Sequence, residues 1–208
     1  MNRLGNGLSE AKQYEDALSL RESQLSLMRR VDADEDDLLV AKSNLAVTYH
    51  ELGRLEEALP LRRDVYYGTL QLFGEEHEET LTEASNYAVS LITVQRFEEA
   101  KSVLRKTIPV ARRVLRENDT LPLRMRRNYA KALYKDDGAT LDDLREAVAT
   151  LEELVPTARR VLGGAHPITL AIERRLRGAR AALRARETPP PLSLSEIEVD
   201  MLSLLLDD

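Results

Sequence analysis

Small and apolar residues return on one helical face at an interval of 42 positions: Leu45-Ala46 with Tyr49, Tyr87-Ala88 with Leu91, and Tyr129-Ala130 with Leu133. Each run is opened by an asparagine: Asn44, Asn86 or Asn128. Positions three and four apart share a face of an α-helix, so the pattern predicts one helix written three times. A second signature follows after a turn, Arg54-Leu55-Glu56-Glu57-Ala58 and then Arg96-Phe97-Glu98-Glu99-Ala100, with a fainter N-terminal copy in Gln13-Tyr14-Glu15-Asp16-Ala17. In the third copy about five extra residues, Asp136-Asp137-Gly138-Ala139-Thr140, precede Leu144-Arg145-Glu146-Ala147; such an insertion is expected in a loop, where added length costs little.

Leu72-Phe73-Gly74, Leu115-Arg116-Glu117-Asn118-Asp119 and Leu162-Gly163-Gly164-Ala165-His166-Pro167 close the second helices. Glycine there supplies a left-handed cap, and Pro167 suits a first helical turn. Each period therefore reads helix, turn, helix, turn. First helices are expected near 34–52, 77–94, 119–135 and 166–186, second helices near 14–31, 55–73, 97–115 and 140–162. Ala46, Ala88, Ala130, Ala58, Ala100 and Ala147 fall where paired helices must approach closely. A single hairpin cannot bury such a surface, whereas a stack of hairpins can. The expected fold is all-α, a right-handed superhelical solenoid of antiparallel helix hairpins. It occupies 1–186, with full repeats at 34–73, 77–115 and 119–162 and partial repeats at each end.

These residues resemble the tetratricopeptide repeat, and the period of 42 with Leu162-Gly163-Gly164-Ala165-His166-Pro167-Ile168-Thr169-Leu170 resembles the long repeats of kinesin light chains. HEAT-type repeats have a comparable period, but the paired Asn and Glu-Glu-Ala phrases favour the tetratricopeptide reading. The resemblance covers roughly residues 8–186 and implies a non-catalytic adaptor that holds a protein or peptide on its concave face. By repeat register it places peptide-binding positions at Ser43, Asn44, Val47 and His50, at Ser85, Asn86 and Val89, at Arg124, Arg127, Asn128, Lys131 and Lys135, and at Arg174 and Arg175.

A carboxamide donates and accepts at once, so three repeated asparagines could clamp a peptide backbone without reading its sequence. Their other use is bonding within the array. Arg124, Arg127, Lys131 and Lys135 share one helical stripe, which would attract an acidic segment or stand as a solvated charged face.

Composition narrows the partners. The formal net charge of −6 argues against a general nucleic-acid binder, and the absence of cysteine excludes disulfides and thiolate metal sites. A cytoplasmic compartment is the expectation, with no membrane partner, since no apolar run approaches the ~20 residues that span a bilayer. No cofactor fingerprint, metal cluster or nucleophile and base pair is found, so no catalytic, cofactor-binding or metal-ligating residue is assigned. His77 and His166 occupy one linker station as helix-start residues, His50 is expected to make a hydrogen-bonding contact, and the paired glutamates recur as scaffold.

At the N-terminus, Gly5, Asn6 and Gly7 would weaken a first helix that lacks a partner. The expectation is an excerpt of a longer array, or self-association through that edge. At the other end, 187–194 reads as a Pro-rich linker and 195–206 as an acidic amphipathic helix with Ile197, Met201, Leu204 and Leu205 on one stripe. That tail could dock on the basic groove of its own or a neighbouring chain, cover the last hairpin, or hold a partner itself.

Overall fold

The computed structural model describes residues 2–116 and 119–188, with side chains from Gln13 onward. The Pro-rich linker and the acidic helix expected after Thr188 lie outside the described residues. Every regular element among those described is an α-helix: α1 (Asn2–Arg30), α2 (Glu35–Glu51), α3 (Leu55–Phe73), α4 (Glu78–Thr93), α5 (Phe97–Val114), α6 (Thr120–Lys135), α7 (Leu141–Leu162) and α8 (Pro167–Glu187). From α2 onward the bounds lie within one or two residues of the expected ones, whereas α1 starts much earlier and runs through Gly5 and Gly7.

Consecutive helices pack in antiparallel pairs and form the expected solenoid. The curvature follows from unequal spacing. The backbones of α4 and α6, and of α6 and α8, come into contact, while no two odd-numbered helices do. Even-numbered helices therefore line the inner face.

The alanines set the closeness of the pairs. Ala46, Ala88, Ala130, Ala100 and Ala147 have no exposed surface, and Ala58 almost none. Leu81, Leu104, Met125, Leu133, Leu151 and Ile172 fill the space between successive pairs. The Glu-Glu phrases act as scaffold through their second member: Arg54 Nε donates to Glu57 at 2.8 Å, and Arg96 Nη2 donates to Glu99 at 2.7 Å. Each pair ties a helix start to its first turn. His77 Nδ1 accepts from the Glu79 backbone at 3.3 Å and His166 Nδ1 from that of Ile168 at 3.2 Å, the helix-start role expected of both.

Two local features depart from the sequence pattern. Pro60, Pro109 and Pro156 sit inside α3, α5 and α7 without ending them. All three rings are exposed, so each lost backbone hydrogen bond lies on the solvent side, where a helix can open slightly. The turn after α2 uses Gly53 at φ 73°, whereas the matching turn after α4 places Gln95 at φ 62°, a left-handed conformation that a side chain disfavours.

The inserted turn is a built element. Thr140 Oγ1 accepts from the Asp143 backbone at 3.1 Å while Asp143 accepts from the Thr140 backbone at 3.0 Å, which caps α7. Lys101, 3% exposed, reaches from α5 to Asp136 at 3.7 Å and Asp143 at 3.8 Å and also pairs with Glu98. One ammonium thus anchors the extra loop to the preceding pair.

The repeats differ most in what fills the seam between pairs. At the first junction Arg62 of α3 donates to Ser43 of α2 at 3.0 Å and to Glu83 of α4 at 3.4 Å, and Ser43 donates to Glu83 at 3.2 Å. Arg62 and Glu83 are 9% and 8% exposed. Burial pulls the Arg62 guanidinium below its ordinary value, with the Glu83 charge working against that pull. One period later the same stations hold Ser85, Leu104 and Met125, and after the insertion they hold Arg127, Leu151 and Ile172. The polar seam has become apolar, which leaves the Ser85 hydroxyl without the acceptor that Ser43 finds.

A buried ion pair is costly to break and cheap to replace whole. Arg62→Leu alone is therefore expected to lower the unfolding free energy by about 3 kcal/mol, since it strands the Glu83 carboxylate. Arg62→Leu with Glu83→Met, which copies the next junction, should restore most of that loss in urea titrations. Additive losses in the double variant would show that the pair is not coupled.

Candidate functional site

Every position expected to bind peptide lies on an even-numbered helix, but their surroundings differ. Asn44, Val47 and His50 on α2 are exposed, Asn86 and Val89 on α4 are part-buried, and Asn128 on α6 is buried. The gradient has a structural cause. The α2 backbone makes no contact with that of α4, whereas α6 lies between α4 and α8. The carboxamides of Asn44 and Asn86 bond to no described residue, so both are open to a guest. Asn128 is sealed, with its Oδ1 accepting from Arg127 at 3.4 Å and its Nδ2 unpartnered. Ser43 is taken up in the seam with Arg62 and Glu83, and Ser85 is closed into the packing.

His50 is exposed, with its Nδ1 3.8 Å from Glu51. Val40, one helical turn before Asn44, is exposed beside Val47 and extends the apolar part of the face. Its spacing of four from Asn44 was the available signal for it, and register alone passed it over.

The second half of the face is cationic. Arg124, Lys135 and Arg174 are exposed, while Arg127, Lys131 and Arg175 are part-buried. None of the six forms an ion pair with a described residue. Neighbouring carboxylates are engaged elsewhere: Glu153 with Arg126, Glu173 with Arg159, Glu152 with Arg180. Burial, then the charges of Arg175, Arg124 and Arg174, bring the Arg127 guanidinium down to about 10. Burial and the charges of Arg175, Lys135 and Arg127 likewise lower Lys131. Lys135 leans away over the Tyr134 ring, 5.8 Å from its centroid, and marks the edge of the patch.

Other charged groups belong to the scaffold. Arg113 pairs with Glu76, and Arg159 with Glu173, near the ends of α5 and α7. Tyr129 donates to Glu146 at 2.7 Å and accepts from Arg105 at 2.8 Å; burial first, and the Glu146 bond second, push its hydroxyl up to about 12. A 380 Å³ hollow at the ends of α5, α6 and α7 gathers Arg112, Arg116, Arg126 and Arg160 beside Asp119. No cluster of three or more histidine or acidic side chains suited to a metal occurs among the described residues. No helix among them is long and apolar enough to cross a membrane.

Stacked helix pairs with a repeated alanine seam and an inner face of recurring polar stations define a repeat scaffold. The tetratricopeptide repeat model matches residues 1–66 and 37–113, and the chain belongs to that family. Its solenoid is similar to two crystal structures of a kinesin light chain from Podosopora anserina with nearly identical repeats. One, of a single-residue variant of that protein, aligns with TM-score 0.73 at 22% identity over 89% of this chain and 85% of that one. The other aligns with TM-score 0.71 at 22% identity, over 89% and 86%. BtubC (BKLC) from P. vanneervenii aligns with TM-score 0.56 at 19% identity, over 89% and 80%. No curated protein matches the chain. The solenoid thus shares its fold with those kinesin light chain repeats, and arrays of the tetratricopeptide family generally mediate contacts between proteins.

An unpaired cationic patch should weaken the free protein. Because the Arg127 value lies below that of an unfolded chain, its charged form opposes folding; the opposition is fully present below about 10 and is relieved as the pH rises through that value. Arg127→Met is expected to raise stability by about 1 kcal/mol once solvent screening of a part-buried charge is allowed for. Added salt should stabilise the wild type more than the variant, because it screens the same repulsion. Equal salt responses in thermal melts would refute the repulsion.

Proposed function

We propose that the chain is a non-catalytic adaptor that holds an extended, acidic peptide segment along its inner face. The single observation behind this reading is the division of that face. Open carboxamides and small apolar side chains, Asn44, Val47, Asn86 and Val89, lead into a patch of cations with no described counter-ion. Asn44 and Asn86 would bond the peptide backbone, while the two valines accept small side chains. Arg124, Lys131 and Arg174 would meet acidic side chains through charge-assisted bonds. The acidic tail read from the sequence has the same charge as such a guest and would compete for the patch. A cytoplasmic setting suits this cysteine-free chain.

Anisotropy with labelled degenerate peptides, rich in Asp and Glu or in Lys and Arg, tests the reading. Acidic peptides should bind and basic ones should not. Arg124→Glu with Lys131→Glu should cost roughly tenfold or more, and Asn44→Ala with Asn86→Ala several-fold. Removal of 189–208 should strengthen acidic binding if the tail competes. Equal binding of both libraries would sink the proposal.

One observation favours a second reading, self-association. Leu20 and Leu27 of α1, Val31 just after it, and Val40 and Val47 of α2 are exposed apolar side chains near the N-terminal edge. A second copy would cover it. Light scattering should then show a mass that grows with concentration and falls to the monomer in Leu27→Glu with Val31→Glu. A wild type that stays monomeric across the micromolar range would rule this out.

A further inference from the structure

The inner face of α6 and α8 buries hydrogen-bond donors that no described group satisfies: Arg127 Nε, Asn128 Nδ2 and Arg175 Nε. Asn128 is 3% exposed. Folded proteins leave few such groups, and several on one patch of two adjacent helices call for an acceptor from outside. All of them are N–H groups, and two belong to guanidinium cations, so an anion with several oxygens would satisfy the donors and the charge together. Arg124 and Arg174 stand close enough to act on the Arg127 charge, and Lys131 is one helical turn away.

We propose that this patch is a phosphoryl site, which takes a phosphorylated serine or threonine side chain of the peptide lying in the groove. The inference rests on the groove reading and specifies the anion that the groove selects. A phosphoryl group carries about −1.5 to −2 charges at neutral pH and three strong acceptor oxygens at one point. A carboxylate brings one charge and two oxygens. Acidic residues along an extended peptide are spread over roughly 3.3 Å per residue and alternate in direction, so they cannot concentrate charge at one place.

The cations here are concentrated. The charges of Arg175, Arg124 and Arg174 all act on Arg127, and a guanidinium engages two oxygens of one phosphoryl group at once. A peptide, as opposed to a free anion or a lipid headgroup, fits because the face continues from this patch onto the open carboxamides of Asn86 and Asn44.

The test uses the full chain and paired degenerate peptide libraries that differ only in one fixed residue, phosphoserine or glutamate. Phosphoserine peptides should bind roughly tenfold tighter near neutral pH, and the advantage should shrink below about pH 6 as the dianion takes up a proton. Arg127→Gln and Arg175→Gln should remove the advantage and change glutamate binding far less, with folding followed by circular dichroism. Arg124→Gln, at an exposed position, should also lower it if either of those variants fails to fold. The Nε–H resonances of Arg127 and Arg175 should shift on addition of phosphoserine peptide and not of its glutamate counterpart.

Equal affinity for the two libraries overturns the phosphoryl site and leaves the acidic groove standing; absence of binding by both overturns the two together. Displacement of the phosphopeptide by inorganic phosphate, or by vesicles bearing phosphoinositide, at matched phosphate concentration overturns its assignment to a peptide.

Discussion

Close approach of paired helices at a repeated alanine is the constraint from which the rest follows. Ala46, Ala88 and Ala130 meet the partner helix where any larger side chain would hold the two apart, and each has no exposed surface. Once the pair is that close, its remaining apolar side chains project toward the next pair and must be covered by it. Stacking is therefore a consequence of the pairing. The inner helices α4, α6 and α8 come into contact in turn and the outer ones do not, which bends the stack toward a concave side lined by even-numbered helices.

That architecture tolerates change in the seam far more readily than in the alanines. The Arg62, Glu83 and Ser43 cluster gives way to Leu104 and Met125 beside an unpartnered Ser85 without altering the pairing of helices. Both fillings satisfy the same space, one through an ion pair and one through dispersion. The inserted turn is accommodated in the same spirit. Its length is absorbed at the loop, and Lys101 ties Asp136 and Asp143 to the older framework. Exposed prolines in α3, α5 and α7 fall on the side that faces solvent, so the helices continue through them.

The concave surface departs from this economy. Like charges on α6 and α8 repel one another, and donors are shut away without acceptors, in a molecule whose net charge is −6. Acidic residues outnumber basic ones in the chain, yet Glu153, Glu173 and Glu152 on α7 and α8 pair with Arg126, Arg159 and Arg180 and not with the patch. Local instability kept at one place within an otherwise satisfied scaffold is the physical mark of a surface completed by a partner. The apolar first half of the same face bears no such strain, and the two halves suit different parts of one guest.

The sequence by itself determined the helices from α2 onward, their order and their pairing, because each depends on short-range periodicity and on small residues that recur at a fixed interval. Gly74, Gly163, His77 and His166 could be placed at helix boundaries for the same reason: a cap acts within one or two turns. Tertiary structure alone decided which equivalent residues are equivalent in environment. Asn44, Asn86 and Asn128 share a station, but burial depends on neighbours from other helices, so the first is open and the last is sealed. Ser43 turned out to belong to a seam, and Val40 to the exposed side of α2. The stripe on α6 was legible along the chain, but the added repulsion from Arg174 and Arg175 of α8 was not, since those residues lie far from the stripe in sequence and only folding brings them together.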